Sequence, residues 1–384
     1  MGARTREVQG TPGGADEYQR DVGLACFAAG HSVSLVHDLL LRVAAADLLA
    51  PALRPLGRGL LAIFTLHRFA DPEQGVVGHD AAALRDHLAY LRRHRYRLVS
   101  MTDVLKLIEE GDIDPKTPAV AFTVDDGHAG FARIAAPIFA EYDCPVTLFV
   151  PTGFLDGQLW LWWDRSAYLF NHTPRCSLLL ELGSERHSYR WSTPGERDLV
   201  RRDVADHLEA VDAPHRDAAI AVLAEQLDVE LPATPPPASA PISWDDVRRT
   251  AKLGVTFGPH SVTHPILPLT TDEVCAWEIE ESYRRLRQET DASVPVFCYP
   301  AGKAGQREFE AARRAGLRAA VTSTPGYALP HDARDPSSLH RFALPRFSFP
   351  HDRSHFVTTV AGVVNLKWTV QRWRGGWLTT QGCA

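Results

Sequence analysis

The sequence predicts an α/β protein: a distorted (β/α) barrel of about seven parallel strands, with an inserted segment and extra N-terminal helices. Two observations predict it. Short, nearly uninterrupted apolar runs recur from residue 60 onward, as expected of strands buried on both faces, and stretches with helical apolar spacing separate them. Polar, chemistry-bearing side chains then gather at the C-terminal ends of several different runs, where a (β/α) barrel builds its site.

The predicted strands are LLAIFTLHRF (60–69), AVAFTVDDG (119–127), VTLFVPTG (146–153), GVTFGPHSV (254–262), VPVFCYPAG (294–302), AAVTSTPG (319–326) and ALPRFSF (343–349). Between them, 80–96 and 271–290 carry apolar residues at helical spacing, and the second opens on Thr271 and an acidic first turn. Residues 1–58 read as a tail followed by an amphipathic helix (33–57) that its prolines stop. Residues 59–350 form the barrel, and 351–384 a C-terminal tail. The pattern breaks at 154–241, which holds Trp160, Trp162 and Trp163, a polar helical segment and the proline-rich connector LPATPPPASAP; it is expected to be an insertion or lid. The three tryptophans serve either to anchor it or as an aromatic platform for a sugar ring.

With 384 residues, 45% hydrophobic and 23% charged, the chain has the composition of a globular protein able to bury a large core. Lys+Arg 41 against Asp+Glu 47 gives a net charge of −6, and no basic stripe interrupts it, which excludes nucleic acid as a partner class. Six cysteines without C-x-x-C spacing argue against a zinc ribbon or a disulfide scaffold. No secretory signal and no membrane-spanning apolar stretch appear, so a cytoplasmic location is expected. The segment 363–377, basic and with three tryptophans, either packs on the barrel or makes peripheral contact with the inner membrane face.

The chemistry starts at Asp125 and Asp126, adjacent acids that end one predicted strand and precede Gly127 and His128. A second cluster, FGPHSVTHPIL, places His260 and His264 four apart after another. On a helix that spacing would share a face, but Pro265 disfavours helix at His264, so the pair is expected on a strand-to-loop turn. Two histidines and a carboxylate suit a borderline divalent cation such as Zn2+, with coordination positions left open for water and substrate.

These motifs resemble those of the polysaccharide deacetylase (NodB-like) family, carbohydrate esterase family four, over most of residues 60–350. The family's T-F-D-D-G is matched by Thr123, Asp125, Asp126 and Gly127, with Val124 in place of the aromatic, and its H-S/T-x-x-H-P by His260, Ser261, His264 and Pro265. The resemblance implies Asp125 as general base and Asp126, His260 and His264 as ligands of a divalent metal, Zn2+ first among them. The two acids then have separate duties: one gives its charge to the cation, the other stays free to accept a proton from water made acidic by the metal. In FCYPAG, Pro300 and Gly302 match a third motif, and Ala301, replacing an aromatic, would still offer its backbone N–H to the oxyanion.

The chain departs from the family pattern in two further places. Cys298 stands where many members have Arg, although a second arrangement, F-A-Y-P-x-G, also lacks it. The last motif, L-x-H, whose His protonates the leaving amine, reads Leu344, Pro345, Arg346, and an arginine does not give up a proton near neutral pH. Arg346 would stabilise charge, while His67, His128 or water supplies the proton. The function implied is metal-dependent removal of N-acetyl groups from amino-sugar residues of a saccharide or glycan precursor. Two alternatives stand beside it: a metallohydrolase of another amide, such as an N-formyl sugar or a small imide, and a non-catalytic saccharide-binding relative.

Overall fold

A computed structural model describes residues 54–110, 118–182, 185–329, 335 and 338–365. The helix expected at 33–57 and the segment at 363–377 lie almost wholly outside them. The strands in order are β1 (Leu61–Leu66), β2 (Arg97–Leu98), β3 (Ala119–Val124), β4 (Val146–Val150), β5 (Ser177–Leu182), β6 (Glu185–Arg190), β7 (Val255–Pro259), β8 (Val296–Cys298), β9 (Ala319–Val321) and β10 (Phe347–Ser348). Every predicted strand is among them. A parallel sheet runs β10-β1-β3-β4-β7, with β2 beside the start of β3, and β8 and β9 form a second parallel pair. Isolated parallel bridges, Phe257 with Ser293 and Val321 with Leu344, tie that pair to β7 on one side and to the approach to β10 on the other.

Strand periodicity sorts the core into two populations. Leu61, Ile63, Ala119, Ala121, Phe149, Val296, Cys298, Val321 and Leu344 pack together on one side of the strands. Their sequence neighbours Ala62, Phe64, Leu66, Val120, Phe122, Val124, Leu148 and Phe257 face the helices on the other. Side chains alternate with period two, so strands buried on both faces need continuous apolar runs. The helices are set by local signals. Asp80 caps Ala81–Arg93 by accepting from the N–H groups of Ala82 and Ala83, and Thr271 caps Asp272–Glu289, whose first turn holds Asp272 and Glu273. No helix among the described residues is long and apolar enough to cross a membrane.

The 154–241 stretch contains more than the expected polar helical segment. Helices Trp162–His172, Pro194–Glu209 and Ala213–Leu227 enclose a core of their own, to which the antiparallel hairpin β5–β6 contributes Leu178, Leu180 and Tyr189. Sequence periodicity did not indicate this hairpin. The connector returns against the Asp125–Asp126 turn: Ile242 N–H donates to the Gly127 carbonyl (2.7 Å) and Ala129 N–H to that of Ala240 (2.9 Å). The insertion is thereby fastened beside the two acids.

Inside the strands, Gly258 leaves room for the Phe149 ring: a Cβ there would lie 2.3 Å from Phe149 Cε1 and 2.8 Å from the Val296 carbonyl oxygen. Overpacking of this kind costs about 1–3 kcal/mol. Gly258→Ala is expected to lower the denaturation midpoint accordingly, and an unchanged midpoint in chemical unfolding would contradict this packing.

Candidate active site

The site grows from the strand register. Residues 119, 121 and 123 of β3 point to the same side, and Asp125, one step beyond Val124, continues that row. Its carboxylate is buried. Arg346 Nη1 donates to Oδ1 (2.8 Å) and Nη2 to Oδ2 (2.7 Å), while Thr65 Oγ1 (3.2 Å) and the Cys298 thiol (3.5 Å) also reach Oδ2. Burial pushes the Asp125 pKa up, but the Arg346 guanidinium, in charge and hydrogen bond, overrides this and brings it to about 2. Asp125 is therefore a carboxylate at any ordinary pH. Arg346 is itself 2% exposed, and it also donates to the Thr322 carbonyl (3.0 Å) and to Thr123 Oγ1 (3.0 Å). The arginine predicted to stabilise charge is thus bound to the acid predicted as base.

Asp126 would point away from this row were its backbone extended. Instead it has φ 74°, followed by Gly127 at 73°, and this left-handed turn carries its carboxylate toward the histidines. His260 Nε2 and His264 Nε2 each lie 3.6 Å from Asp126 Oδ1, and 3.1 Å from one another. The turn expected after β7 is present: His260 follows Pro259, and His264 comes after Ser261, with positive φ at Ser261 (66°) and His264 (57°). Asp126, Ser261, His264 and Ala301 (φ 53°) are four of the seven non-glycine residues with positive φ among the described residues. Backbone strain is therefore concentrated here, as it is at functional sites.

The donor set fits a divalent cation. The three ligand atoms of Asp126, His260 and His264 all lie within 4.8 Å of one another, and all three residues are buried. His260 Nδ1 is 2.7 Å from the Cys298 carbonyl, which can only accept, so this nitrogen carries a proton and the bond aims Nε2 at Asp126. Burial pushes the His260 pKa down, but Cys298, Asp126 and Asp125 override this and hold it well above its ordinary value, so a bound cation would take the place of an Nε2 proton. Burial, with the neighbouring His260, lowers the His264 pKa to about 3 and keeps that ring neutral, the form that binds metal. Burial pushes the Asp126 pKa up, but the surrounding histidines, His260 first, hold it below the usual carboxylate range. A second grouping, Asp125, His260 and Cys298, shares His260. There the carboxylate is already engaged by Arg346 and the thiol is pushed up by burial, so it is the poorer donor set.

A cavity of about 280 Å3 opens over these groups. Asp125, Asp126, His260, His264, His67 and Ala301 all line it. His67, just after β1, brings Nε2 to 3.9 Å from Asp125 Oδ2 and is partly exposed. Ala301 sits in a tight turn whose next residue must be glycine: a Cβ on Gly302 would lie 2.0 Å from Ser323 Oγ. His128 is not in this cavity; its Nε2 is 2.7 Å from Asp164 Oδ2, and Arg68 Nη1 holds the other oxygen (2.9 Å). That trio, buried at His128 and Asp164, fastens the insertion to the barrel.

The insertion supplies the opposite wall through Trp162, Trp163, Arg201, Arg202, Asp206 and Glu209. Trp163 packs edge-on against the His264 ring (centroids 4.6 Å apart), Trp162 lies under Arg216 (4.9 Å), and Trp160 packs away on Tyr168. Sequence reasoning missed the four charged residues of helix Pro194–Glu209, which it read only as part of a polar helical segment, and the roles of Thr65, Thr123 and Cys298. Alternation along the strands could have found those three, because each is in step with the inward row.

A family model described as polysaccharide deacetylase matches residues 112–320. Among solved structures, the chain is similar to the deacetylase PplD of Streptococcus pyogenes in complex with acetate: 15% identity and TM-score 0.50, covering 80% of this chain and 97% of that one. It is also similar to IcaB from Ammonifex degensii, with 15% identity and TM-score 0.49 over 79% and 97% of the two chains. At such identities the likeness is one of fold. No curated protein matches the sequence significantly.

Removing the guanidinium tests how the Asp125 carboxylate is held. Arg346→Met leaves a buried carboxylate unpaired, which costs about 3–5 kcal/mol in thermal or chemical unfolding. With burial no longer opposed, the Asp125 pKa rises, so the acid limb of any pH–rate profile is expected to move to higher pH. A variant with native stability and an unmoved profile would show that the ion pair does neither.

Proposed function

The chain belongs to the polysaccharide deacetylase family, hydrolases that act on amide C–N bonds, and we propose that it removes N-acetyl groups from amino-sugar residues of a saccharide or glycan precursor with a divalent cation, Zn2+ first among them. The observation that carries the proposal is the meeting of Asp126, His260 and His264 in one buried cluster, with Asp125 lining the same cavity. Held there, the cation would acidify water and polarise the acyl oxygen.

The protein's own groups have separable tasks. Asp125, kept ionised by Arg346, accepts the proton of the attacking water. Its low pKa makes it a weak base in the free protein, so the guanidinium trades proton affinity for a fixed position. The Ala301 N–H is offered to the oxyanion of the tetrahedral intermediate. We assign the protonation of the leaving amine to His67, because it is on the cavity wall near Asp125, rather than to His128, which is paired with Asp164 outside the cavity. Trp162 and the polar face of helix Pro194–Glu209 form the wall against which the sugar lies.

The test is acetate release from a panel of N-acetylhexosamine conjugates. Activity is expected to vanish on chelation and to return with Zn2+. Asp125→Asn should lower kcat by about 10²–10⁴-fold, the usual scale of a lost general base. His67→Asn should depress kcat more than His128→Asn, whose effect should appear chiefly in stability. Release of formate or ring-opening of a small imide, without acetate, would replace the substrate; saccharide binding without any turnover would leave a non-catalytic relative.

A further inference from the structure

Glu278 is a buried carboxylate (2% exposed) on helix Asp272–Glu289, outside both motifs. Its partners are not cations. Oε2 accepts from the backbone N–H of Val262 (2.7 Å) and of Thr263 (2.9 Å), and Oε1 accepts from the Thr263 hydroxyl. Burial pushes its pKa up while these three donors oppose the rise. Burying a carboxylate is expensive unless donors compensate it, and here all three belong to two residues that lie between His260 and His264.

The two histidines are fixed by different means. His260 is oriented through its own ring, by the Nδ1 contact to the Cys298 carbonyl. His264 has no such bond: its Nδ1 is buried without a partner. Its placement therefore rests on packing against Trp163 and on its backbone, which takes φ 57° with its N–H bonded to Ser261 Oγ (3.0 Å). That strained turn must be held from outside. Glu278 holds it from the helix, and Thr152 and Gly153 from the other side, donating to the carbonyls of Ser261 (3.1 Å) and Val262 (3.0 Å).

We infer that Glu278 is a positioning residue for the metal centre, fixing the 261–264 turn so that His264 Nε2 meets His260 and Asp126. The inference rests on reading those three residues as a metal site. The experiment measures the Zn2+ dissociation constant by competition with a chromophoric chelator, together with the melting temperature of the metal-free protein. Glu278→Ala is expected to weaken Zn2+ binding by roughly 10–100-fold, the scale of lost outer-shell partners. Glu278→Gln should lose less, because its amide oxygen can accept both backbone N–H groups while its NH2 donates to Thr263 Oγ1. If Glu278→Ala does not fold, Thr263→Val, which removes a single donor, should still weaken Zn2+ binding measurably. A lowered melting temperature with an unchanged dissociation constant in the substituted proteins would overturn the inference and leave Glu278 a purely structural residue. Failure of the unsubstituted protein to bind Zn2+ would overturn the metal-site reading itself, and this inference with it.

Discussion

A guanidinium sealed among buried strands must be neutralised where it stands, and in this protein Asp125 does so. Arg346 is 2% exposed and gives Asp125 two parallel hydrogen bonds. Around the pair, Thr65, Thr123 and Cys298 fill a polar layer directly above the apolar side chains of the strand interior. Bidentate pairing fixes direction as well as distance. It joins the ends of β3 and the segment entering β10, which are not neighbours in the sheet, and sets the height at which the core ends and the cavity begins.

The second constraint is backbone strain. Left-handed residues at Asp126, Ser261, His264 and Ala301 each carry a conformational cost, on the order of 1–2 kcal/mol for a residue with a Cβ. Three of them are held by rigid neighbours: Asp126 by the strand behind it and Gly127 after it, His264 by Ser261 and the Glu278-bound turn, Ala301 by a Gly302 that no larger residue can replace. Regular strands would send Asp125 and Asp126 to opposite sides. The turn at Asp126 brings both into one cavity while leaving their environments different: Asp125 is paired with Arg346, and Asp126 faces the two histidines.

Much of this was legible in the sequence, because a run that stays apolar at both odd and even positions has to be covered on both faces, and short runs of that kind between amphipathic helices become interior strands. All seven predicted strands are present, and so is the non-helical placement of His260 and His264 that Pro265 implied. The β5–β6 hairpin was not legible: its first strand is apolar but its second, ERHSYR, is polar, and only pairing across the turn gives them a common face. Arg346 stood out as a residue, yet its partner lies 221 positions away and depends on how the last strand closes against the first. Glu278 was invisible on different grounds. It is one of several acids on an amphipathic helix, and nothing local distinguishes the one that turns inward.

The contrast between the two adjacent acids bears most directly on function. Asp125 accepts from two guanidinium nitrogens, a hydroxyl and a thiol, so its charge is compensated by groups already in place. Asp126 faces the Nε2 atoms of two imidazoles at 3.6 Å, longer than a hydrogen bond, and those nitrogens sit 3.1 Å from each other. With Nδ1 of His260 donating to the Cys298 carbonyl and His264 kept neutral by burial, Nε2 of both rings and Oδ1 of Asp126 point at common ground, where the raised pKa of His260 marks a place that favours positive charge. A cation would satisfy all three at once. On the proposed reading it would hold Asp126 as its ligand and leave Asp125, its charge compensated by Arg346, as the carboxylate beside it, which is a physical reason for placing two aspartates side by side.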